Sequence, residues 1–233
     1  MIAAPPSARL ASVAPAAAVE LDLAPSTFLG FLAELEEARM VVRGGGLTLF
    51  RQTRFGEFGD APGDDGGLRR DDLSGLSLDP GRLRRVCLLH GGGLPPAFEI
   101  ELAGCGFALA VWPGQGRGDL AATRDLLASS GTSALAYEAV RRAGAAAWLD
   151  ELGTEDAPSW SNRLVFDRDA GTISVVIASA ALVVSSRFRP ALVDRDGSTL
   201  RLSDAAGRHV LHFRAGEGPE FPVSPANSHH SRP

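Results

Sequence analysis

The sequence predicts an α+β fold, with a mostly antiparallel sheet built from two diverged repeats and a helix packed on the sheet in each. Residues 98–112 contain two runs of alternating hydrophobicity separated by glycines, which is typical of a β-hairpin. Residues 200–213 repeat the same spacing of apolar positions 102 positions later. The order of helix, paired strands and hairpin is also the same in both halves, which is why we predict a duplication.

The first repeat is predicted to span residues 21–130, after a disordered arm at 1–20 that is rich in alanine and proline. Apolar residues at helical spacing, with Pro25 and hydroxyl side chains at the start, predict a helix over 26–38. The remaining predicted elements follow in chain order. They are a hairpin of 40–42 with 47–50, a solvated loop at 56–72, a weak strand near 73–78, a stronger strand at 85–89, the hairpin of 98–112, a turn at 114–118, and a helix to 127 capped by Asp119.

The second repeat is predicted to span residues 134–216, after a small polar connector at 129–134. An alanine-rich helix is expected over 136–152. Strands are expected near 163–166, 172–178 and 181–187, before the second hairpin. The last residues, 217–233, contain four prolines among small polar residues and are predicted to be a disordered tail.

Composition excludes several classes of function. The net charge of −5 gives no reason to expect a nucleic-acid partner. All 23 basic residues are arginine, so mechanisms that need a Schiff-base or Walker lysine are excluded. The two cysteines are too few for a disulfide framework. The longest apolar run, residues 173–184, is too short to span a bilayer, and the N-terminus lacks the features of a secretory signal. We therefore expect a soluble cytoplasmic protein without a membrane partner.

Two motifs suggest catalysis or phosphate binding, and each lacks an essential residue. Residues 90–93 (His-Gly-Gly-Gly) resemble the oxyanion segment of lipase-type hydrolases, but no Gly-x-Ser-x-Gly nucleophile motif follows. The glycines at 114, 116 and 118 lie between a predicted strand and helix, but Asp119 replaces the last glycine of the dinucleotide fingerprint. No catalytic residue is assigned, although a hydrolase is kept as a third hypothesis.

His209 and His212 lie three residues apart on the last strong strand. Because side chains alternate along a strand, these two histidines should point to opposite faces and cannot both bind one metal ion. His209 shares its face with Leu211 and Phe213, and we predict that it points inward. A packed core histidine and a cofactor ligand are both compatible with this position.

The element order of residues 26–127 resembles that of the bacterial haemin-transport and haem-degrading proteins, together with the run from Leu49 to Gln52 and the following Glu57. In that family a helix leads into a strand carrying Leu-Thr-Arg-Asn, then a His-Glu pair, a sheet, a hairpin and a helix. The family also has a tandem-repeat form. This chain departs from the family pattern at Gly56, which replaces the histidine, and in residues 133–162, where an axial ligand is expected and no histidine occurs.

The resemblance implies haem as cofactor, and with it a role in haem binding or transport and iron metabolism. His209 is then the candidate axial ligand to the iron, and Arg51 or Arg187 could pair with the propionates. None of these three assignments matches a family motif. Our first hypothesis is a soluble haem-binding or haem-trafficking protein. The alternative is a non-catalytic protein-binding module that kept the fold without the cofactor and uses a sheet face or the loop at 56–72.

Overall fold

The computed structural model describes residues 17–44, 47–61, 67–91, 94–105, 107–135, 161–167, 169–196 and 199–214. Within these ranges the protein has two antiparallel sheets and two α-helices, so the predicted α+β class is confirmed. The helices are α1 (Pro25–Glu34) and α2 (Arg117–Ser129), and a 3₁₀ turn occupies Pro80–Arg82. No helix in these ranges is both long and apolar enough to cross a bilayer.

The strands follow the chain order and are numbered accordingly. They are β1 (Ala17–Asp22), β2 (Ala38–Gly44), β3 (Leu47–Thr53), β4 (Gly59–Asp60), β5 (Arg69–Asp71), β6 (Leu76–Leu78), β7 (Leu83–Gly91), β8 (Leu94–Leu102), β9 (Ala108–Pro113), β10 (Gly131–Leu135), β11 (Ser161–Asp167), β12 (Thr172–Ala178), β13 (Leu182–Phe188), β14 (Leu192–Asp196), β15 (Thr199–Ser203) and β16 (His209–Arg214). The large sheet has the order β10-β1-β7-β8-β9-β2-β3-β16-β15-β14, and the small sheet has the order β11-β12-β13-β6-β5-β4.

Alternating burial along the strands identifies the inner face of each sheet. On β12 every second residue from Ile173 to Ile177 is buried, and on β9 the same holds for Leu109 and Val111. Most of the buried apolar positions of both sheets belong to one hydrophobic cluster, which also includes the buried residues of α1. The aromatic ring of Phe31 contacts that of Phe98 at 4.8 Å between centroids, so α1 packs on the inner side of β8.

Helix α1 ends earlier than the sequence predicts, at Glu34 rather than near residue 38. Leu35 is extended and still fully buried, and strand β2 begins at Ala38. The helical spacing of apolar residues in the sequence extends to Leu35 because its side chain packs in the core. The backbone of Leu35, however, is already extended and is not part of the helix.

Three segments predicted to be irregular contain strands. Residues 17–20, placed in the arm, belong to β1, which pairs with β7. The predicted connector includes β10, which pairs with β1. The predicted loop at 56–72 contains β4 and β5, and Asp71 within it is buried. Pairing with a neighbouring strand satisfies the backbone hydrogen-bonding groups of these segments. Their side chains alternate too weakly in hydrophobicity to predict this pairing. The predicted helix at 136–152 and the tail at 217–233 lie outside the described residues.

Both predicted hairpins are present, and their registers correspond. In β8 and β9, Phe98 lies opposite Val111 and Ile100 opposite Leu109. In β15 and β16, the positions 102 residues later pair in the same way: Leu200 with Phe213 and Leu202 with Leu211. The two hairpins also belong to the same sheet, separated only by β2 and β3.

Candidate functional site

His209 and Arg51, two of the three residues predicted to bind a cofactor, are cross-strand neighbours. They lie directly opposite each other on β16 and β3, on the inner face of the large sheet. Arg51 follows the buried Leu47 and Leu49 on that face, and His209 precedes Leu211 and Phe213. The sequence predicted the inward direction of His209, and the structure places it at the start of β16, beside the hairpin turn.

The imidazole of His209 is held on two sides. Its Nδ1 lies 2.9 Å from Oδ2 of Asp204, and its ring stacks on Phe188 of the small sheet, with 5.4 Å between centroids and 9° between planes. The His209 side chain keeps 19% of its surface exposed. His212 is exposed on the opposite face of β16, as the alternation predicted.

Asp204 belongs to the turn before β16 and is fixed by that turn. Its carboxylate also accepts a hydrogen bond from the backbone N–H of Arg208 at 2.8 Å. Burial opposes ionisation of Asp204, but the hydrogen bonds from His209 and from the Arg208 backbone outweigh it and lower its pKa. The charged Asp204 carboxylate accepts a hydrogen bond from Nδ1–H of His209. It therefore favours the tautomer of the imidazole that has a lone pair on Nε2.

Arg51 connects the two sheets. Its Nη1 donates to the carbonyl oxygens of Ser74 and Ser185, the latter at 3.1 Å, and its Nη2 donates to the carbonyl of Leu73 at 3.2 Å. Burial lowers the pKa of Arg51, and Asp71 opposes this shift. Among the described side chains, Arg51 Nε and Ser186 Oγ are buried without a hydrogen-bond partner.

Arg187, the third predicted residue, is on the other side of the small sheet. It precedes Phe188 on β13, so its side chain points away from His209. Its guanidinium is exposed and pairs with Asp167 at 3.1 Å and with the hydroxyl of Thr172 at 3.1 Å. The structure therefore brings Arg51 and His209 together and does not bring Arg187 to them.

The chemistry available at this cluster is that of a single imidazole nitrogen ligand. Within the described ranges no group of three or more histidine, cysteine, aspartate or glutamate side chains could hold a metal ion by itself. A site with one imidazole suits a metal that already has its other ligands, as in a haem, better than a free ion.

Sequence reasoning missed two members of the cluster, Asp204 and Phe188. Asp204 begins the turn of the second hairpin, and a signal for it existed in the spacing of an aspartate, a glycine at 207 and a histidine at 209. Phe188 gave no such signal, because its contact depends on how the two sheets face each other.

The other motifs of the sequence do not converge on this cluster. Asp119 does not cap α2: its buried carboxylate instead accepts the backbone N–H of Glu36 at 2.8 Å, far away in sequence. An open polar cleft of about 390 Å³ is lined by Glu36, Glu37, Arg54, Gly116 and Asp119, and by none of the three predicted residues. The side chain of His90 and the glycines at 92–93 lie outside the described part of the chain.

Comparisons with known proteins give a match at the level of fold. No family model matches the chain, and no curated protein matches it. Among solved structures, apo-PhuS, a haem-binding protein from Pseudomonas aeruginosa, is 16% identical with a TM-score of 0.57, over 85% of this chain and 70% of that one. ChuS, described as a haem oxygenase from Escherichia coli, is 14% identical with a TM-score of 0.57, over 89% and 73%.

These matches are confident in structure and low in identity, so they establish a shared fold. They confirm the pattern-level resemblance found in the order of helices, strands and hairpins. The chain therefore has the fold of PhuS and ChuS, two bacterial proteins that bind or degrade haem.

Proposed function

We propose that this protein binds or traffics haem, with His209 as the ligand to the iron. The observation that carries the proposal is the His209–Asp204 pair, at the border between the two sheets of a fold shared with PhuS and ChuS. The proposal places this activity in the cytoplasm, as expected from the sequence.

The residues at the cluster fit one haem ligand. Asp204 occupies Nδ1 of His209, and Nε2 has no hydrogen-bond partner within the described residues. A ligating histidine usually donates its other ring N–H to a carboxylate or a carbonyl, which orients the ring and raises its basicity. Nε2 of His209 would hold the haem, and the haem would supply an iron atom that accepts a nitrogen ligand.

Arg51 and Arg187 have smaller parts in this proposal than the sequence suggests. Three of the five N–H groups of Arg51 already donate to backbone carbonyls, so only the buried Nε–H and one N–H of Nη2 remain for a propionate. Arg51 is better suited to holding the sheets at a fixed spacing beside His209. Arg187 faces away and is paired with Asp167.

We also propose that the fold arose by duplication, with residues 21–130 and 134–216 as the two copies. The equivalent hairpin registers, related by a shift of 102 residues, support this origin. The strand order supports it as well. In each half a three-strand meander in the small sheet (β4-β5-β6, β11-β12-β13) precedes a three-strand meander in the large sheet (β7-β8-β9, β14-β15-β16).

Haemin titration followed by absorbance tests the haem proposal. The wild-type protein should develop a Soret band that saturates near one equivalent. His209→Ala should shift the band and weaken binding at least tenfold, and Asp204→Asn should weaken it roughly tenfold because the imidazole loses its orienting carboxylate.

His212→Ala is the matched control, since this histidine is on the same strand but on the opposite face. Its titration should equal that of the wild type. A featureless wild-type titration would exclude haem binding. A His209→Ala variant with unchanged band and affinity would exclude His209 as the ligand, and circular dichroism verifies that each variant is folded.

A further inference from the structure

The outer face of the large sheet carries a continuous apolar row. The strand registers place Ala110 beside Val41, Val41 beside Phe50, and Phe50 beside Val210. Across the next two strand pairs, Val210 lies opposite Ser203 of β15, and Ser203 lies opposite Leu192 of β14. We call the apolar members of this row the outer stripe: Ala110, Val41, Phe50, Val210 and Leu192.

The outer stripe ends at an open edge of the sheet. Leu192 is 61% exposed, and its strand β14 is the last in the sheet order. Val41, Phe50 and Ala110 are half-buried, whereas Val210 and the neighbouring Ser203 are buried, with 6% and 7% of their surface exposed. The row crosses six strands, so it is about 24 Å long at about 4.8 Å per strand. Such a length exceeds what a single small ligand would cover.

Arginines border the outer stripe on both sides. Arg43 and Arg201 belong to the neighbouring row on one side, where Thr48 and His212 lie between them and Asp194 lies opposite Arg201 at the edge. Arg39 borders the stripe on the other side, opposite Trp112. None of these three arginines forms an ion pair within the described residues. Arg69 and Arg187 on the small sheet do, and so does Arg85, which lies farther along the same outer face and pairs with Glu101.

Unpaired arginines around an apolar centre are characteristic of protein interfaces, in which a hydrophobic middle is surrounded by a polar rim. Arginine is also the cation best suited to carboxylates, because its guanidinium can donate two parallel hydrogen bonds. The row continues from Ala110 to Glu99 of β8, so the free arginines are confined to the part of this face from β2 to β15.

We propose that the outer stripe docks an acidic segment of a protein partner. Apolar side chains of that segment would cover Val41, Phe50 and Leu192, and its carboxylates would pair with the bordering arginines. A nucleic acid fits less well, because Phe50 is the one aromatic ring of the stripe and the net negative charge of the chain repels a long polyanion. Docking here does not require haem, since His209 is on the opposite face of the sheet.

Site-specific photo-crosslinking tests the proposal on the full-length protein. A benzophenone amino acid replaces Asp194, an exposed residue next to the outer stripe, and a matched variant carries it at Val165, which is 42% exposed on the small sheet. Crosslinking is done in the cells that make the protein, and the products are identified by mass spectrometry. We expect an acidic protein crosslinked from position 194 and absent from position 165.

The identified partner is then purified and its affinity measured by isothermal titration calorimetry. Arg43→Glu/Arg201→Glu should weaken binding at least tenfold, and Leu192→Ser about threefold. Arg117→Glu/Arg124→Glu changes the net charge equally on α2 and should leave the affinity within twofold of the wild type. Added salt should weaken wild-type binding.

The following outcomes would overturn the proposal: no product specific to position 194, a crosslinked nucleic acid, or a partner without an acidic segment. An affinity that falls equally in both double variants would also overturn it, since only total charge would then matter.

Discussion

Arg51 and His209 face each other across β3 and β16, and each also contacts the small sheet. Arg51 does so through the carbonyl of Ser185, and His209 through the ring of Phe188. His209, the candidate ligand, is therefore adjacent to Arg51, the side chain that connects the two sheets. A change that weakens the hydrogen bonds of Arg51 should also affect the position of His209.

Replacing Arg51 should lower the stability of the fold. Arg51→Ala leaves the carbonyl oxygens of Leu73, Ser74 and Ser185 without their donor, and we expect a loss of about 2–3 kcal/mol in the free energy of unfolding. Arg51→Lys should lose less, because the ammonium keeps some donors. Arg187→Ala is the control and should cost less than about 1 kcal/mol, since its ion pair is exposed. Urea denaturation measures all three, and equal losses for the two alanine variants would contradict the assigned role.

Gly75 is required where the turn before β6 meets β13. Its φ is +65°, and a Cβ there would overlap the carbonyl oxygen of Ser185. Gly75→Ala should therefore cost roughly 3 kcal/mol or more, from the left-handed backbone and the clash together. Gly171 has a similar φ of +59° with nothing within 4 Å of a Cβ, so Gly171→Ala should cost only about 1 kcal/mol. Thermal and urea unfolding of the two alanine variants separate the cost of the left-handed backbone from the cost of the clash. Similar losses of stability in both variants would show that the structure relieves the clash at Gly75.

Asp119 should stabilise the junction between α1 and β2. Its carboxylate is 1% exposed and accepts the backbone N–H groups of Glu36 and Glu37 at 2.8 and 3.4 Å. Asp119→Ala leaves these donors without an acceptor and should cost about 2 kcal/mol in unfolding free energy. Asp119→Asn should cost less, because an amide oxygen remains. Asp125→Ala on the exposed side of α2 serves as control, and a loss as large as that of Asp119→Ala would refute the assignment.

The Asp204–His209 pair should make stability depend on pH in the acid range. Because the pKa of Asp204 is lowered in the folded state, its contribution is present above the ordinary aspartate pKa of 3.8 and is lost as pH falls through the folded value. The difference in unfolding free energy between wild type and Asp204→Asn should shrink as the pH falls below about 4. Urea titrations at several pH values measure it. A difference that grows on acidification would have the wrong sign for this pair.

Local patterns in the sequence were sufficient for the strands and for the faces of their side chains. The alternation along 209–213 predicts that His209 points inward and His212 outward, and both predictions hold. The same alternation in 98–112 predicts the first hairpin, and the structure contains it. The short strands β1, β10, β4 and β5 were missed, because their side chains carry little pattern and their pairing depends on neighbours distant in sequence.

The sequence by itself determined the α+β class, the two hairpins and the inward position of His209, because these follow from alternation and turn residues within a few positions. Only the tertiary structure decided that Arg51 adjoins His209, that Phe188 stacks on the imidazole, and that Arg187 faces away from both. These relations depend on the pairing of β16 with β3 and on the packing of one sheet against the other. Long-range register is set by burial over the whole core, and no local segment of the chain contains that information.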